Sequence, residues 1–523
     1  MLKHLKSQEF NILSLGIIAL LLFIPIYPKF PMFNVVGTYV AIRAEDFLVA
    51  FILFLWLINQ IRHGFPTFKD RVGKLILLYW LVGFLSLMSA IFITRNITPH
   101  IAILHFIRRI EYMSLFFVAL ASIRSIENVK SYGLVLFLAT MGVIVYGLGQ
   151  KFFSWPVVST MNEEFSKGMI LKLTEWARIS STFAGHYDLA AFLVLILALT
   201  AGFFFGLKNK VKKILILFLG LGSFYLLILT ASRVSFIAYL IAIIFVFLSL
   251  KKYWWLGPVL AVSLVGMLLS EDITQRYALT FNINLSALSS KIPRREKAPV
   301  LTPTPTPTPL PEVAKKPVKV VATKPKAIPT PTPVATISAV EEWKPTTELA
   351  VEYSSGIRFN VEWPRSLRAF AKNPLLGAGY SSVTLATDND YLRLLAETGL
   401  LGFMAFFLIF LEIGRRVILF ARQTKPGLEK AVVLGISGGI VGFFANAVFI
   451  DVFESSKVAF IFWLLMGILV GIIKMKLPRP YGRGIFSPHF VGSGIPPKRK
   501  ALRFDPRANA LGVSRRGINE ENA

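Results

Sequence analysis

Cysteine is missing from all 523 residues, which removes disulfides, thiolate nucleophiles and cysteine-based metal centres and leaves the redox compartment open. Histidine is scarce. The six residues fall at positions 4, 63, 100, 105, 186 and 489, with no HxxH or HxxxH pair, so no histidine-built zinc centre is expected and no metal or cofactor is assigned. Charge is thin as well: only 16% of residues are charged against 54% hydrophobic, and the mean hydropathy is +0.62. That is too little polar surface to coat a soluble domain of this length, and the chain belongs in a bilayer. Acidic residues are outnumbered by basic ones, giving a net charge of +28. The basic residues are scattered through short loops and a tail instead of gathered on one face, which argues against nucleic acid and for anionic headgroups of membrane lipids as partners.

What is abundant is long apolar runs. A spanning helix needs roughly 20 apolar residues, and about twelve runs approach that length: 10–28, 46–61, 73–94, 105–123, 131–153, 187–206, 211–230, 233–250, 254–270, 391–413, 430–451 and 456–475. The expected fold class is therefore all-α, a polytopic integral membrane protein of about twelve transmembrane helices. The first run meets Pro25, Pro28 and Pro31 without a small-residue cleavage motif and reads as a retained span. With the N-terminus cytoplasmic, the clusters Arg62/Lys69/Arg71/Lys74, Lys208 to Lys213, Lys251/Lys252 and Arg415 to Lys430 all fall inside, as does the C-terminal tail. A multi-pass protein of a bacterial plasma (inner) membrane, both termini cytoplasmic, is the expectation.

The organisation follows from the interruptions. Residues 1–270 hold about nine spans, residues 271–390 form one large extracytoplasmic loop, residues 391–475 hold about three spans, and residues 476–523 form a basic cytoplasmic tail expected to be disordered. Within the large loop, residues 301–335 repeat Thr-Pro around a lysine-rich stretch, the composition of a semi-stiff polyproline spacer. After it, Trp363, Leu367, Phe370 and Ala371 share one helical face while Arg365, Arg368 and Lys372 project elsewhere, with Pro364 in the first turn. This amphipathic helix is expected to lie along the membrane, apolar side down. Gly377 and Gly379 supply a turn, and the Asp388-Asn389-Asp390 cluster stands where a side-chain oxygen caps the next helix. A further polar loop from Ser154 to His186 is expected to hold a short interfacial helix with Trp155 and Trp176 at headgroup level. In the fourth run Arg108 and Glu111 are spaced to pair, with Arg109 beside them available to a lipid phosphate.

The segment of residues 355–390 and its continuation, R…W…PLLGAGY…DN-x-YL…ETGLLG, resembles the shared region of the O-antigen ligase and O-antigen polymerase superfamily, which also includes bacterial O-oligosaccharyltransferases. Upstream, LTASR at Leu229 to Arg233 and ARISSTFAGHYDLAAF at Ala177 to Phe192 resemble further blocks. The resemblance implies a glycosyltransferase that moves a glycan from an undecaprenyl-diphosphate-linked donor to an acceptor hydroxyl on a glycan, lipid or protein at the outer face, without metal, nucleotide sugar or cofactor. It also implies that Arg233 and Arg358, with Arg178 as a third, bind the diphosphate, a role that suits a guanidinium able to give two parallel hydrogen bonds to developing negative charge. Snorkelling is the ordinary alternative for each arginine.

Ligases of this superfamily carry a histidine immediately before the Asn of the DN block, as base on the acceptor. This chain has Asp388, a departure that favours a polymerase over a ligase. Asp388 is then either the group that orients or deprotonates the acceptor or a helix cap, and His186 is the second candidate base. A lipid-linked glycan transporter or flippase and a non-catalytic membrane scaffold are the alternatives; no internal repeat and no mid-membrane concentration of polar residues supports a carrier.

Overall fold

The computed structural model describes residues 12–34, 41–95, 97–158, 170–171, 177–270, 356–383 and 387–476. Each apolar run falls on a helix: α1 (Ile12–Ile26), α2 (Ala44–His63), α3 (Arg71–Ser89, continued by a π turn Ala90–Thr94), α4 (Pro99–Ser122), α5 (Ile126–Phe152), α6 (His186–Gly206), α7 (Lys210–Leu229), α8 (Arg233–Ser249), α9 (Leu256–Leu268), α11 (Asp390–Gln423), α12 (Leu428–Asn446) and α13 (Ser456–Lys476), with the amphipathic α10 (Trp363–Lys372) between α9 and α11. Among the described residues eight helices are long and apolar enough to cross a membrane: α2, α3 with its π turn, α5, α6, α7, α11, α12 and α13. Helices α1, α8 and α9 are shorter, and α4 carries Arg108, Arg109 and Glu111 in its middle. A multi-pass helical membrane protein results, with eight spans supported by length and composition where the sequence predicts about twelve.

Among the described residues two minimal strand pairs interrupt the helices: β1 (Pro31–Asn34) with β2 (Ala41–Arg43), and β3 (Val157–Val158) with β4 (Ile170–Leu171), both antiparallel. The second pair occupies part of the loop expected to hold an interfacial helix. Trp155 packs there on Tyr146, its ring centroid 5.6 Å away, while Trp176 lies outside the described residues. The Thr-Pro spacer and the basic tail beyond Lys476 also lie outside them.

The packing of α12 sets the frame. Its GISGGIVG run lets two backbones come close: Gly435 lies against Gly202 of α6, and Gly442 against Val194 of α6 and Ala238 of α8. Small residues at such contacts are what helices in lipid require, since apolar side chains gain nothing there by leaving water. Because His186 precedes Val194 by about two turns and Arg233 precedes Ala238 by just over one, α6 and α8 begin at one end of the bundle, the end where α12 finishes. Helix α13, apolar all round, is buried from Ser456 to Ile473, as such a sequence must be.

Helix α11 is too long to be one span. At 34 residues it would extend about 50 Å against roughly 30 Å of hydrocarbon. It breaks at Gly399, whose φ of 66° and ψ of −168° are outside the helical region. The loop after α10 inserts at the break and takes up the backbone groups it frees. Ala378 N–H donates to Ala396 O at 2.7 Å and Gly379 N–H to Glu397 O at 3.0 Å, while Leu400 N–H donates to Pro374 O at 2.8 Å and Leu401 N–H to Leu375 O at 3.1 Å. PLLGAGY and ETGLLG are thus two halves of one backbone splice. Gly377 and Gly379 have the positive φ expected of them, 74° and 94°.

Candidate active site

At the end where α6 and α8 begin, the chain from 179 to 185 is buried and pinned by small polar side chains. Gln150 accepts from the Ser181 N–H at 2.8 Å and donates to the Ser181 carbonyl at 2.9 Å, Ser181 Oγ donates to Val143 O at 2.7 Å, and Thr182 Oγ1 donates to Pro25 O at 2.5 Å. The buried Lys457 Nζ adds a bond to Thr182 O at 2.8 Å and another to Tyr27 O. Ser181 and Thr182 are consumed in holding the loop, while the buried Ser180 Oγ has no partner among the described residues. Arg178, His186 and Tyr187 are what it presents. Arg178 Nη1 lies 2.6 Å from His186 Nε2, so that nitrogen accepts and the ring proton of the neutral imidazole belongs on Nδ1. Arg178 and Arg358 both act electrostatically on the Tyr187 hydroxyl.

Arg358 arrives from the large loop on a π turn, Arg358–Glu362, that runs into α10 at Pro364, a residue with no N–H to continue the helical ladder. The wider turn puts Arg358 and Glu362 on one side, facing the bundle, with Ser366 and Ala369 continuing that face. The apolar side chains Phe359, Val361, Leu367 and Leu375 stay exposed. Arg365, Arg368 and Lys372 are exposed with them, so the outward side is amphipathic, as on a helix lying at a lipid headgroup boundary.

The Asp-Asn-Asp cluster divides its work. Asn389 is the cap, its side chain accepting from Leu392 N–H at 2.9 Å. Asp390 turns inward, its Oδ2 accepting from Val452 N–H at 2.7 Å and Phe453 N–H at 3.1 Å. Asp388 pairs with Arg358, its Oδ2 receiving Nε at 2.8 Å and Nη2 at 2.7 Å. Burial, and the Asp451 carboxylate nearby, push the Asp388 carboxyl above the usual carboxylate range against the pull of Arg358. Asp388 holds a φ of 47°, uncommon for a residue with a side chain, and Asp451 explains why it can. Asp451 accepts the N–H groups of Thr387 at 2.8 Å, Asp388 at 3.2 Å and Asn389 at 3.1 Å, and is itself held by Arg393 Nη2 at 3.0 Å. Three consecutive amides on one carboxylate fix the turn that offers Asp388 to Arg358.

This turn carries a prediction. Asp451→Asn keeps one acceptor oxygen and sets an NH2 group against the amides, leaving a buried donor unpaired at about 1–3 kcal/mol and Arg393 under-compensated. The unfolding midpoint in detergent is expected to fall by several degrees, and any activity of the site to fall with it; an unchanged midpoint contradicts the role given to Asp451.

Behind the turn is a second charged layer. Arg109 donates to Glu397 at 3.5 Å and to Glu454, and is buried. The sequence expectation that Arg109 holds a lipid phosphate is therefore corrected: Glu397, just before the break in α11, and Glu454 leave Arg109 facing inward. Arg108 pairs with Glu111 at 3.2 Å as its spacing predicts, and with Asp46 at 2.6 Å. Lys29 lies 3.7 Å from Asp188.

Of the five site residues read from the sequence, the structure brings Arg178, His186, Arg358 and Asp388 into one linked cluster. Arg233 opens α8 at the same end of the bundle, in a turn capped by Ser232, whose Oγ lies 3.0 Å from Ser235 Oγ. Tyr187, Glu362 and Asp451 were not singled out. Tyr187 sits inside the STFAGHYD block beside His186, and Glu362 stands four residues after Arg358, a spacing that was open to reading. Asp451 is 63 residues from Asp388 and gave no local signal.

Residues 215–407 match the family model described as O-antigen ligase. The match takes in Arg233, Arg358, Glu362, Asp388 and the break at Gly399, and stops short of the block from Ala177 to Phe192. No curated protein matches the chain.

Proposed function

We propose, from the O-antigen ligase domain that residues 215–407 carry, that the chain transfers a glycan from an undecaprenyl-diphosphate carrier to an acceptor hydroxyl at the end of the bundle where Arg178, His186, Arg358 and Asp388 meet. That juxtaposition is the observation on which the reading rests. Arg358 and Arg178 are two guanidinium groups gathered about one tyrosine hydroxyl and partly withdrawn from water, where charge-assisted hydrogen bonds to a departing diphosphate are strongest. Arg233 is the third arginine of this set. Asp388 orients Arg358 through the paired N–H groups on its Oδ2. The exposed Phe359, Val361 and Leu367 suit a site entered from lipid, and the basic loops at the opposite end of the bundle favour an extracytoplasmic position for the cluster.

Asp388, where ligases carry histidine, favours chain extension on a second carrier-linked repeat over transfer to a foreign acceptor. The test is the product mass. Full-length protein in nanodiscs, given a defined undecaprenyl-diphosphate repeat and no nucleotide sugar, is expected to yield a ladder of masses spaced by one repeat. A single transfer to an added acceptor sugar, with no ladder, would make it a ligase.

A further inference from the structure

We propose that Glu362 is the base that takes the proton from the acceptor hydroxyl, a role that rests on the transfer reading of the same site. Three groups in the cluster can accept a proton. His186 Nε2 already faces the Arg178 guanidinium at 2.6 Å, and protonating it would set two cations against each other. Asp388 is ion-paired with Arg358 through Oδ2, so taking up a proton would break that pair. Glu362 differs from both: its Oε2 is buried and has no hydrogen-bond partner among the described residues. A buried carboxyl oxygen without a partner costs free energy, so its retention needs a reason.

The surroundings supply one. Glu362 lies one π turn from Arg358 and on the same side, and the charged groups that act on it are Asp388 and Asp451 from the loops at the two ends of α11 and α12, with Arg358 and Arg365 from its own segment. Burial first, then the two neighbouring carboxylates, push its carboxyl up to about 7, and the arginines do not cancel this. A base is most effective when its proton affinity matches the working pH. Two further polar atoms on the same segments, Trp363 Nε1 and Thr387 Oγ1, are buried without partners among the described residues, as expected of groups that meet a hydroxylated ligand.

The step balances within the site. The acceptor O–H proton passes to the Glu362 carboxylate as the acceptor oxygen bonds to the anomeric carbon. The bond from that carbon to the carrier's phosphate oxygen breaks, and its electron pair leaves with the diphosphate, whose charge Arg358 and Arg178 receive. The Glu362 proton then returns to water.

The test uses full-length protein in nanodiscs with an undecaprenyl-diphosphate repeat, followed from about pH 5.5 to 9. Wild type is expected to gain kcat/KM with pH through an apparent pKa of about 7 and then level, because only the ionised carboxylate accepts a proton. Glu362→Gln should lose about 10²–10⁴-fold in kcat with little change in donor KM, and lose the rising limb. Glu362→Asp should recover part of the rate with a displaced limb. Wild-type kcat in Glu362→Gln, or a reduced kcat that keeps the wild-type limb, overturns the proposal. If Glu362→Gln does not fold, an unmoved limb in Glu362→Asp overturns it. A wild-type protein that transfers nothing refutes the transfer reading itself and this role with it.

Discussion

Gly399→Ala is expected to prevent accumulation of folded protein. A φ of 66° with a ψ of −168° is a region almost reserved for glycine, and holding alanine there costs on the order of 1–3 kcal/mol. A Cβ would also meet the Leu375 carbonyl oxygen and lie 2.5 Å from the Gly377 amide nitrogen. Neither can move aside, because both belong to the inserted loop whose hydrogen bonds close the break in α11. Overpacking of this kind adds roughly another 1–3 kcal/mol, and the sum is a large share of a domain's stability. Gly377→Ala should behave alike, its Cβ falling 2.5 Å from the Glu397 carbonyl carbon. Gly414→Ala, further along α11 with open space around it, is the control and should be neutral. Size-exclusion profile and thermal unfolding in detergent separate the three. A monodisperse Gly399→Ala protein with the wild-type midpoint would contradict the splice.

Arg358→Lys is expected to keep the fold and lose transfer by about 10²–10³-fold in kcat, the usual effect of removing one preorganised donor to developing charge. Lysine preserves the positive charge, so the loss isolates geometry. The guanidinium meets Asp388 Oδ2 through Nε and Nη2 and acts on the Tyr187 hydroxyl as well. An ammonium on a flexible stem cannot fix both and still face a diphosphate. Initial rates with the lipid-linked donor, alongside the unfolding midpoint, give the answer. A variant within about threefold of wild type would remove Arg358 from the chemistry.

Much of this was legible in the chain because apolar runs of spanning length have few other uses. Their helical character and approximate boundaries follow from hydropathy alone, and the arginines and Asp388 stand out by the cost of placing charge beside lipid. What escaped reading is non-local. Nothing near Gly399 says that a loop 20-odd residues earlier enters the helix there. Asp388, Asn389 and Asp390 look interchangeable as caps, yet Arg358, Leu392 and the amides of Val452 and Phe453 sort them into three roles. Arg109 looks available to lipid until Glu397 and Glu454 are seen to enclose it. The amphipathic segment is conspicuous in the sequence for its apolar stripe. Its informative side is the polar one, with Arg358, Glu362 and Ser366 turned to the bundle.

The central claim is that the carrier's diphosphate is the leaving group at Arg358. It is tested most directly by measuring free undecaprenyl diphosphate released from a lipid-linked repeat by full-length protein in nanodiscs without nucleotide sugar. Release in step with glycan product by wild type, and its near absence in Arg358→Lys, is the result this account predicts. Glycan product formed without release of undecaprenyl diphosphate, or equal release by the two proteins, would contradict it.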